Sequence, residues 1–163
     1  MGKLDGKVAI VTGSTSGMGR STAKLYAAEG AKVVVTGRNE ERAQAVVDDI
    51  VAAGGEAFAV IADMANVDDI KKIFDETMEK YGTVDILFNN AGLLSVTPLL
   101  DITKEEWDKV FAVDVYAPLY LTQLVAPVMK EKGKGVVINT CSVASYAAHF
   151  GFVGYISSKH AIA

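Results

Sequence analysis

Tyr155 and Lys159 are four residues apart, a spacing that could place a proton donor beside a positive charge. In an α-helix, side chains with this spacing lie on one face, about 5–6 Å from each other. A nearby ammonium group favours the phenolate form of a tyrosine, which brings proton exchange closer to neutral pH. Of the six tyrosines, only Tyr155 has a lysine four residues later. The pair therefore predicts an acid–base site, although the spacing alone is also typical of an amphipathic surface pair.

A glycine-rich segment follows the first apolar run. The run from Lys7 to Thr12 is apolar and β-branched, as in a buried parallel strand, and Met18 to Glu29 has helical periodicity. Glycines let the backbone approach a pyrophosphate, and the start of a helix offers free N–H groups to it. A tight turn that merely requires glycine is the alternative. The residues predicted to contact a dinucleotide here are Gly13, Ser14, Thr15, Ser16, Gly17, Met18 and Gly19.

The end of the second apolar run indicates which dinucleotide is bound. An acidic residue at this place commonly binds the ribose 2′-hydroxyl of NAD, yet none lies between Val33 and Asn39. Arg38 stands where it could meet a 2′-phosphate, which favours NADP(H), with NAD(H) as the alternative. Arg38 could instead be a solvated residue before a helix.

Apolar runs alternate with helical patterns along the whole chain. The predicted strands are residues 7–12, 32–36, 57–62, 84–88 and 135–140, and the predicted helices are 18–29, one capped by Asn39, 67–81, one capped by Thr103, one offset by Pro118 and Pro127 that continues to about Lys132, and one from about Val153. This alternation predicts an α/β fold: a Rossmann-like, doubly wound parallel sheet of five strands with helices on both faces. We expect residues 1–163 to form one dinucleotide-binding domain, with its ligand at the carboxyl ends of the strands.

Composition argues against several other classes of protein. The net charge of −4 gives no basic surface for nucleic acid or an anionic membrane. The single cysteine, Cys141, excludes an internal disulfide and is predicted to be a small core residue. The two histidines have no companions at metal-ligand spacing, so no metal site is expected. No secretory signal and no uninterrupted apolar run of about 20 residues is found, and we expect a cytoplasmic protein.

Four motifs together carry a family resemblance. Thr12-Gly-x-x-x-Gly-x-Gly19, Asn89-Asn-Ala-Gly92, Ser142 and Tyr155-x-x-x-Lys159 resemble, in order and spacing, the motif set of the short-chain dehydrogenase/reductase family. The resemblance implies an oxidoreductase that interconverts a ketone and a secondary alcohol by hydride transfer. It implies that Tyr155 is the general acid or base, that Ser142 holds the substrate oxygen, and that Lys159 favours the phenolate and binds the nicotinamide ribose. Further cofactor contacts implied are Asp63, Met64, Asn90, Ala91, Gly92 and Tyr155 itself.

Asp114 departs from the family pattern. The family usually has an asparagine here, which completes a proton relay through water to the lysine. If the relay uses the backbone carbonyl, aspartate is tolerated. If it uses the side chain, a negative charge near Lys159 alters the site, so Asp114 joins Ser142, Tyr155 and Lys159 as a candidate catalytic residue.

The resemblance also bears on the extent of the chain. Members of the family are longer than 163 residues, so we expect the C-terminal strands and helices of the fold to be missing and the strand 135–140 to form a sheet edge. A completed chain is expected to form a homo-oligomer and to act on a small carbonyl or alcohol substrate. The alternative function is a nucleotide-binding regulatory or structural subunit of the same fold that carries out no chemistry.

Overall fold

The computed structural model describes residues 2–163. Five strands alternate with six helices: β1 (Val8–Val11), α1 (Gly17–Ala28), β2 (Lys32–Gly37), α2 (Glu40–Ala52), β3 (Glu56–Ile61), α3 (Val67–Tyr81), β4 (Ile86–Asn89), α4 (Lys104–Phe111), α5 (Ala117–Glu131), β5 (Val136–Asn139) and α6 (Val153–Ile162). A π turn (Ala112–Tyr116) joins α4 to α5, and a 3₁₀ turn (Val143–Ser145) follows β5.

All strand pairs are parallel, in the order β3-β2-β1-β4-β5. The central strand β1 is apolar and buried at every position, because helices cover both faces of the sheet. On one face α1 and α2 pack against Val33 and Val35, and on the other α3 and α5 pack against Val34. The predicted doubly wound parallel sheet is confirmed.

Local signals in the sequence set the element ends. The side chains of Asn39, Asn66 and Thr103 accept hydrogen bonds from the first turns of α2, α3 and α4. Gly82 takes the left-handed conformation, with φ of 69°, that ends α3. The predicted strands and helices begin and end within about two residues of the observed ones.

The prediction that the prolines offset a separate helix was wrong. Helices α4 and α5 and the π turn form one helix of 28 residues. Pro118 lies in the first turn of α5, just after the wider π turn, and Pro127 lies inside α5. By length and composition this helix could cross a membrane. It is a core helix, because Leu121 and Val125 are fully buried in the cluster on one face of the sheet.

Strand β5 lies at an edge of the sheet, as predicted. Its apolar side chains are partly exposed, between 38% for Val137 and Ile138 and 51% for Val136. Cys141, two residues after β5, is exposed, so the prediction of a core cysteine was wrong. Cys141 follows the edge strand β5, whose own side chains are partly exposed.

At the opposite, amino end of the strands, Asp85 joins three elements. Its carboxylate accepts hydrogen bonds from the Val8 backbone N–H at 3.0 Å and from Lys132 Nζ, beyond α5, at 2.6 Å. Burial opposes the ionisation of Asp85, but the bonds from Lys132 and Val8 outweigh it, and the pKa of the carboxyl lies below its usual value. The amino end is thus closed by a nearly buried ion pair.

Candidate functional site

A cleft of about 370 Å³ lies at the carboxyl ends of the strands. It contains residues from the loops that follow β1, β2, β3 and β4, as expected for an open α/β sheet. Eleven residues proposed from the sequence line it: Gly13, Thr15, Ser16, Met18, Gly19, Arg38, Asp63, Met64, Asn90, Ala91 and Gly92. Gly37, Ala62, Leu93, Lys109 and Val113 complete the lining.

Close backbone packing requires glycine in the turn after β1. Gly13 has a φ of +62°, and a Cβ there would lie 2.9 Å from the Cα of Ala91. A Cβ on Gly19 would collide with the carbonyl oxygen of Gly13 and with the Asn90 side chain. The Asn90 amide donates to the Thr12 and Gly13 carbonyl oxygens at 3.0 and 3.3 Å. The turn is therefore held against the loop after β4 with little freedom.

Ser14 and Gly17 lie outside the lining of the cleft. The Ser14 hydroxyl is fully buried, donates to the Val11 carbonyl at 2.7 Å and accepts from the Thr36 N–H at 2.9 Å. It joins the end of β1 to β2. Gly17, with a φ of +52°, begins α1.

Two cations line the cleft, Arg38, which the sequence predicts, and Lys109, which it does not. Both Arg38 and Lys109 are exposed, and neither has a carboxylate within 4.0 Å among residues 2–163. Lys109 lies one helical turn before Val113, which also lines the cleft, and no pattern in the sequence marked either residue. The one acid of the lining, Asp63, accepts the Ala65 N–H at 3.0 Å. Arg38 and Lys109 are thus cations of the lining that have no carboxylate partner among the described residues.

Tyr155 and Lys159 meet on α6, as their spacing suggested. The Lys159 ammonium lies 5.6 Å from the centre of the Tyr155 ring and donates to the Thr140 carbonyl oxygen at 3.1 Å. Lys159 is buried, with 5% of its surface exposed, and Tyr155 is half-buried. A Cβ on Gly92, which lines the cleft, would lie 3.5 Å from the ammonium nitrogen. The pair therefore stands directly behind one wall of the cleft.

Ser142 is connected to the same helix through the 3₁₀ turn. Its hydroxyl oxygen accepts the Ala144 N–H at 3.1 Å. The Ser145 hydroxyl closes the capping box and donates to the Lys159 carbonyl oxygen at 2.7 Å. Within residues 2–163 the Ser142 hydroxyl proton has no hydrogen-bond acceptor. The hydroxyl can therefore donate a hydrogen bond to a bound molecule.

Asp114 lies in the π turn and its side chain is fully buried. One carboxylate oxygen accepts the Leu93 N–H at 2.7 Å, and the other accepts the Ser158 hydroxyl at 2.9 Å. The second oxygen is also 3.6 Å from the Lys159 ammonium. Short π segments inside α-helices are frequent at functional sites. This one brings Asp114 between the loop after β4 and α6.

Two loops without charged side chains border Ser142 and Tyr155. The loops, residues 90–100 and 142–152, contain no Asp, Glu, Lys or Arg, and neither do the adjoining strand β4 or residues 153–158 of α6. Glu106 fixes the first loop, because one carboxylate oxygen accepts the hydroxyls of Thr97 and Ser95 at 2.7 Å each, and these bonds lower the pKa of Glu106. The two loops expose seven apolar side chains: Leu94, Val96, Leu99, Leu100, Val143, Tyr146 and Phe150.

A comparison with known proteins agrees with this geometry. The family model of short chain dehydrogenases matches residues 7–163. A cyclohexanol dehydrogenase of Acinetobacter sp. is 38% identical over 98% of this chain and 64% of its own length. A 3beta-hydroxysteroid dehydrogenase of Mediterraneibacter gnavus is 37% identical over 99% of this chain and 59% of its own. The chain thus spans less than two thirds of these curated relatives.

Solved structures give the same result. A metagenomic short-chain oxidoreductase in complex with NADP superposes with a TM-score of 0.94 at 36% identity, covering 98% of this chain and 72% of that one. A 7 alpha-hydroxysteroid dehydrogenase complexed with NADH and 7-oxo glycochenodeoxycholic acid also has a TM-score of 0.94, at 38% identity, covering 97% and 62%.

Proposed function

The chain belongs to the short chain dehydrogenase family, and on that premise we propose an NADP(H)-dependent oxidoreductase that interconverts a ketone and a secondary alcohol. One observation carries the proposal. Tyr155, Lys159 and the 3₁₀ turn capped by Ser142 are linked by direct contacts beside a glycine-lined cleft. A proton donor, a cation and a free hydroxyl therefore stand next to a site with the form of a dinucleotide cleft.

The residues present fit the cofactor. The positions of Gly13 and Gly19 leave no room for a Cβ, and the cleft lies at the amino end of α1, whose free N–H groups suit a pyrophosphate. When bound, NADP(H) supplies or accepts the hydride. Arg38 and Lys109 would hold the 2′-phosphate, since both line the cleft without a carboxylate partner among the described residues.

In ketone reduction, the Tyr155 phenol gives its proton to the substrate oxygen. Ser142 donates a hydrogen bond to the same oxygen, because its own proton is not used within residues 2–163. The Lys159 ammonium stabilises the phenolate that remains. These donors are held by bonds to Thr140, Ala144 and the α6 backbone, so developing negative charge meets oriented groups rather than water.

We propose an uncharged, largely apolar substrate. The two loops beside Ser142 and Tyr155 have no charged side chain that could pair with a carboxylate or a phosphate. Their exposed leucines, valines and aromatic rings suit a hydrocarbon ring. Relatives named for cyclohexanol and for hydroxysteroids support this class.

Reduction of cyclohexanone, followed by the loss of NADPH absorbance, tests the reaction. We expect Tyr155→Phe to lower kcat at least about 100-fold, since general acid catalysis contributes that much or more. The same variant is expected to keep NADPH affinity, measured by fluorescence titration. Tyr26→Phe, on α1 and away from the cleft, is the matched control. Full turnover by a folded Tyr155→Phe protein would disprove the proposed role.

Cofactor choice is tested separately by titration. Arg38→Ser and Lys109→Gln should each weaken NADPH binding while leaving NADH binding nearly unchanged, because only NADPH carries the 2′-phosphate. Lys104→Gln, an exposed lysine of α4 outside the lining of the cleft, is the control. An equal loss of affinity for both nucleotides would contradict the assignment to the 2′-phosphate.

A further inference from the structure

We propose that Asp114 is a positioning residue: its carboxylate balances the charge of Lys159 and raises the pH at which Tyr155 ionises, compared with an amide at the same place. The inference rests on the proposed function, because it concerns the residue that moves the proton. Its physical content is a buried ion pair and can be measured without turnover.

Lys159 and Asp114 form a buried pair of opposite charges. The Lys159 and Asp114 side chains are 6% and 0% exposed, so both charges have left water. A buried charge without a partner is costly, and the ammonium has only a neutral acceptor, Thr140, as its direct hydrogen-bond partner. Within residues 2–163, Asp114 is the carboxylate within 4.0 Å of the ammonium. The pair as a whole therefore has no net charge.

The Ser158 hydroxyl contacts both Asp114 and the Tyr155 backbone. Its single hydroxyl proton lies between two acceptors, the Asp114 carboxylate at 2.9 Å and the Tyr155 carbonyl at 2.8 Å. An asparagine at 114 could still accept the Leu93 N–H, which now reaches Oδ1 at 2.7 Å. Its amide could then donate to Ser158, whose proton would be free for the Tyr155 carbonyl. Asp114→Asn thus fits the same hydrogen bonds and changes mainly the charge.

The charges of Lys159 and Asp114 also act on the Tyr155 phenol. The ammonium, 5.6 Å from the Tyr155 ring centre, favours the phenolate, and the carboxylate opposes that effect. Helix α6 contacts the 3₁₀ turn, which carries no titratable side chain, the π turn, which carries Asp114 and the exposed Tyr116, and α4. The remaining charged or titratable groups of α4 and α6 are Lys104, Glu105, Glu106, Asp108, Lys109 and His160. Glu106 is engaged by Ser95 and Thr97, and exposed Lys104 and Asp108 pair with each other.

Ultraviolet absorbance of the phenolate tests the inference. The pH titration of each protein minus that of its Tyr155→Phe counterpart isolates Tyr155 among six tyrosines. We expect the midpoint to fall by about one pH unit in Asp114→Asn, the lower end of the shift that one adjacent charge produces. Asp108→Asn removes an equal but exposed charge from α4 and should leave the midpoint unchanged. An unchanged or higher midpoint in Asp114→Asn would overturn the inference.

A double-mutant cycle in urea provides a second measurement that does not use the phenol. In the wild-type background, Lys159→Met leaves the buried Asp114 carboxylate without a counter-charge. In the Asp114→Asn background there is no carboxylate at this position, so the same change leaves no unpaired charge. We expect the urea midpoint to fall clearly in the first background and much less in the second. Equal losses would refute the ion pair. If both measurements succeed and no ketone is reduced, the proposed function fails while the charge pair stands.

Discussion

The two ends of the sheet each contain an Asp–Lys pair, and the pairs are built differently. At the amino end, Asp85 and Lys132 touch at 2.6 Å, and the lysine side chain is 30% exposed. At the carboxyl end, Asp114 and Lys159 are 3.6 Å apart, and the lysine is 6% exposed. The first ammonium also bonds to Thr83, whereas the second lies behind the cleft wall and near the Tyr155 ring.

This difference separates a structural pair from a pair suited to chemistry. Asp85 connects β1, β4 and the end of α5 by short bonds, so its carboxylate is fully used in holding elements together. The Lys159 ammonium lies near the Tyr155 ring. Its counter-charge, the Asp114 carboxylate, is 3.6 Å away, compared with 2.6 Å between Lys132 and Asp85. Removing the carboxylate charge should therefore cost stability at both ends, and at the carboxyl end it should also alter the pH response of the site.

The largest expected effect is at the amino end. Asp85→Asn should lower the free energy of unfolding by about 3 kcal/mol, since it weakens the bonds from Lys132 and Val8, and hydrogen bonds to charged groups contribute about 1.5–3 kcal/mol each. Urea denaturation measures this loss. Asp75→Asn, in an exposed i,i+4 pair with Lys71, should change stability by no more than about 0.5 kcal/mol. Equal losses in the two variants would show that Asp85 holds nothing together.

The next effect concerns the rigid turn at the carboxyl end. Gly19→Ala should destabilise the fold by about 2 kcal/mol, because the methyl group meets backbone and a fixed amide. It should also weaken NADPH binding about tenfold, equivalent to about 1.4 kcal/mol. Thermal unfolding and fluorescence titration measure the two effects. Ser21→Ala, an exposed change on α1, is the control, and a Gly19→Ala protein with native affinity would contradict the tight approach.

A smaller effect is expected beside Tyr155. A Cβ on Gly154 would lie 2.9 Å from the end of the Ile102 side chain and 3.3 Å from the Ser95 hydroxyl. Overpacking of about 1 kcal/mol is offset by the helix propensity of alanine, about 1 kcal/mol over glycine. Gly154→Ala should thus change stability little, yet lower kcat by moving the start of α6, with NADPH affinity unchanged. Unaltered kcat would show that this contact does not position Tyr155.

The smallest effect appears only in acid. The folded pKa of Asp85 is depressed, so its contribution to stability is present above the unfolded carboxyl pKa of about 3.9. That contribution is lost as pH falls through the lower, folded pKa. The stability difference between wild type and Asp85→Asn should therefore narrow below about pH 4. Urea midpoints across this range measure it, and a constant difference would contradict the assignment.

Much of the fold followed from the sequence because its signals are local. Apolar β-branched runs, Asn39 and Thr103 as helix caps, and Gly82 as a helix end fixed the order and limits of the elements. The cleft residues followed in turn, since loops at the carboxyl ends of parallel strands must converge. Three-dimensional packing decided the rest. The inward turn of Ser14 and the approach of Lys109 to the cleft depend on contacts between distant segments.

The π turn was not predicted either. Pro118 and Pro127 indicated an interruption between two helices, whereas the structure has one continuous helix that contains a wider turn. No single residue type identifies such a turn, and its presence depends on what the helix contacts on each side.

That turn makes the helix sensitive to the number of its residues. Each residue advances an α-helix by about 100°, so one residue more or fewer between Ala112 and Tyr116 would rotate α5 by that angle relative to α4. Either Asp114 would turn away from Leu93 and Ser158, or Leu121 would leave the core. This segment can therefore accept many substitutions of similar size but no change of length.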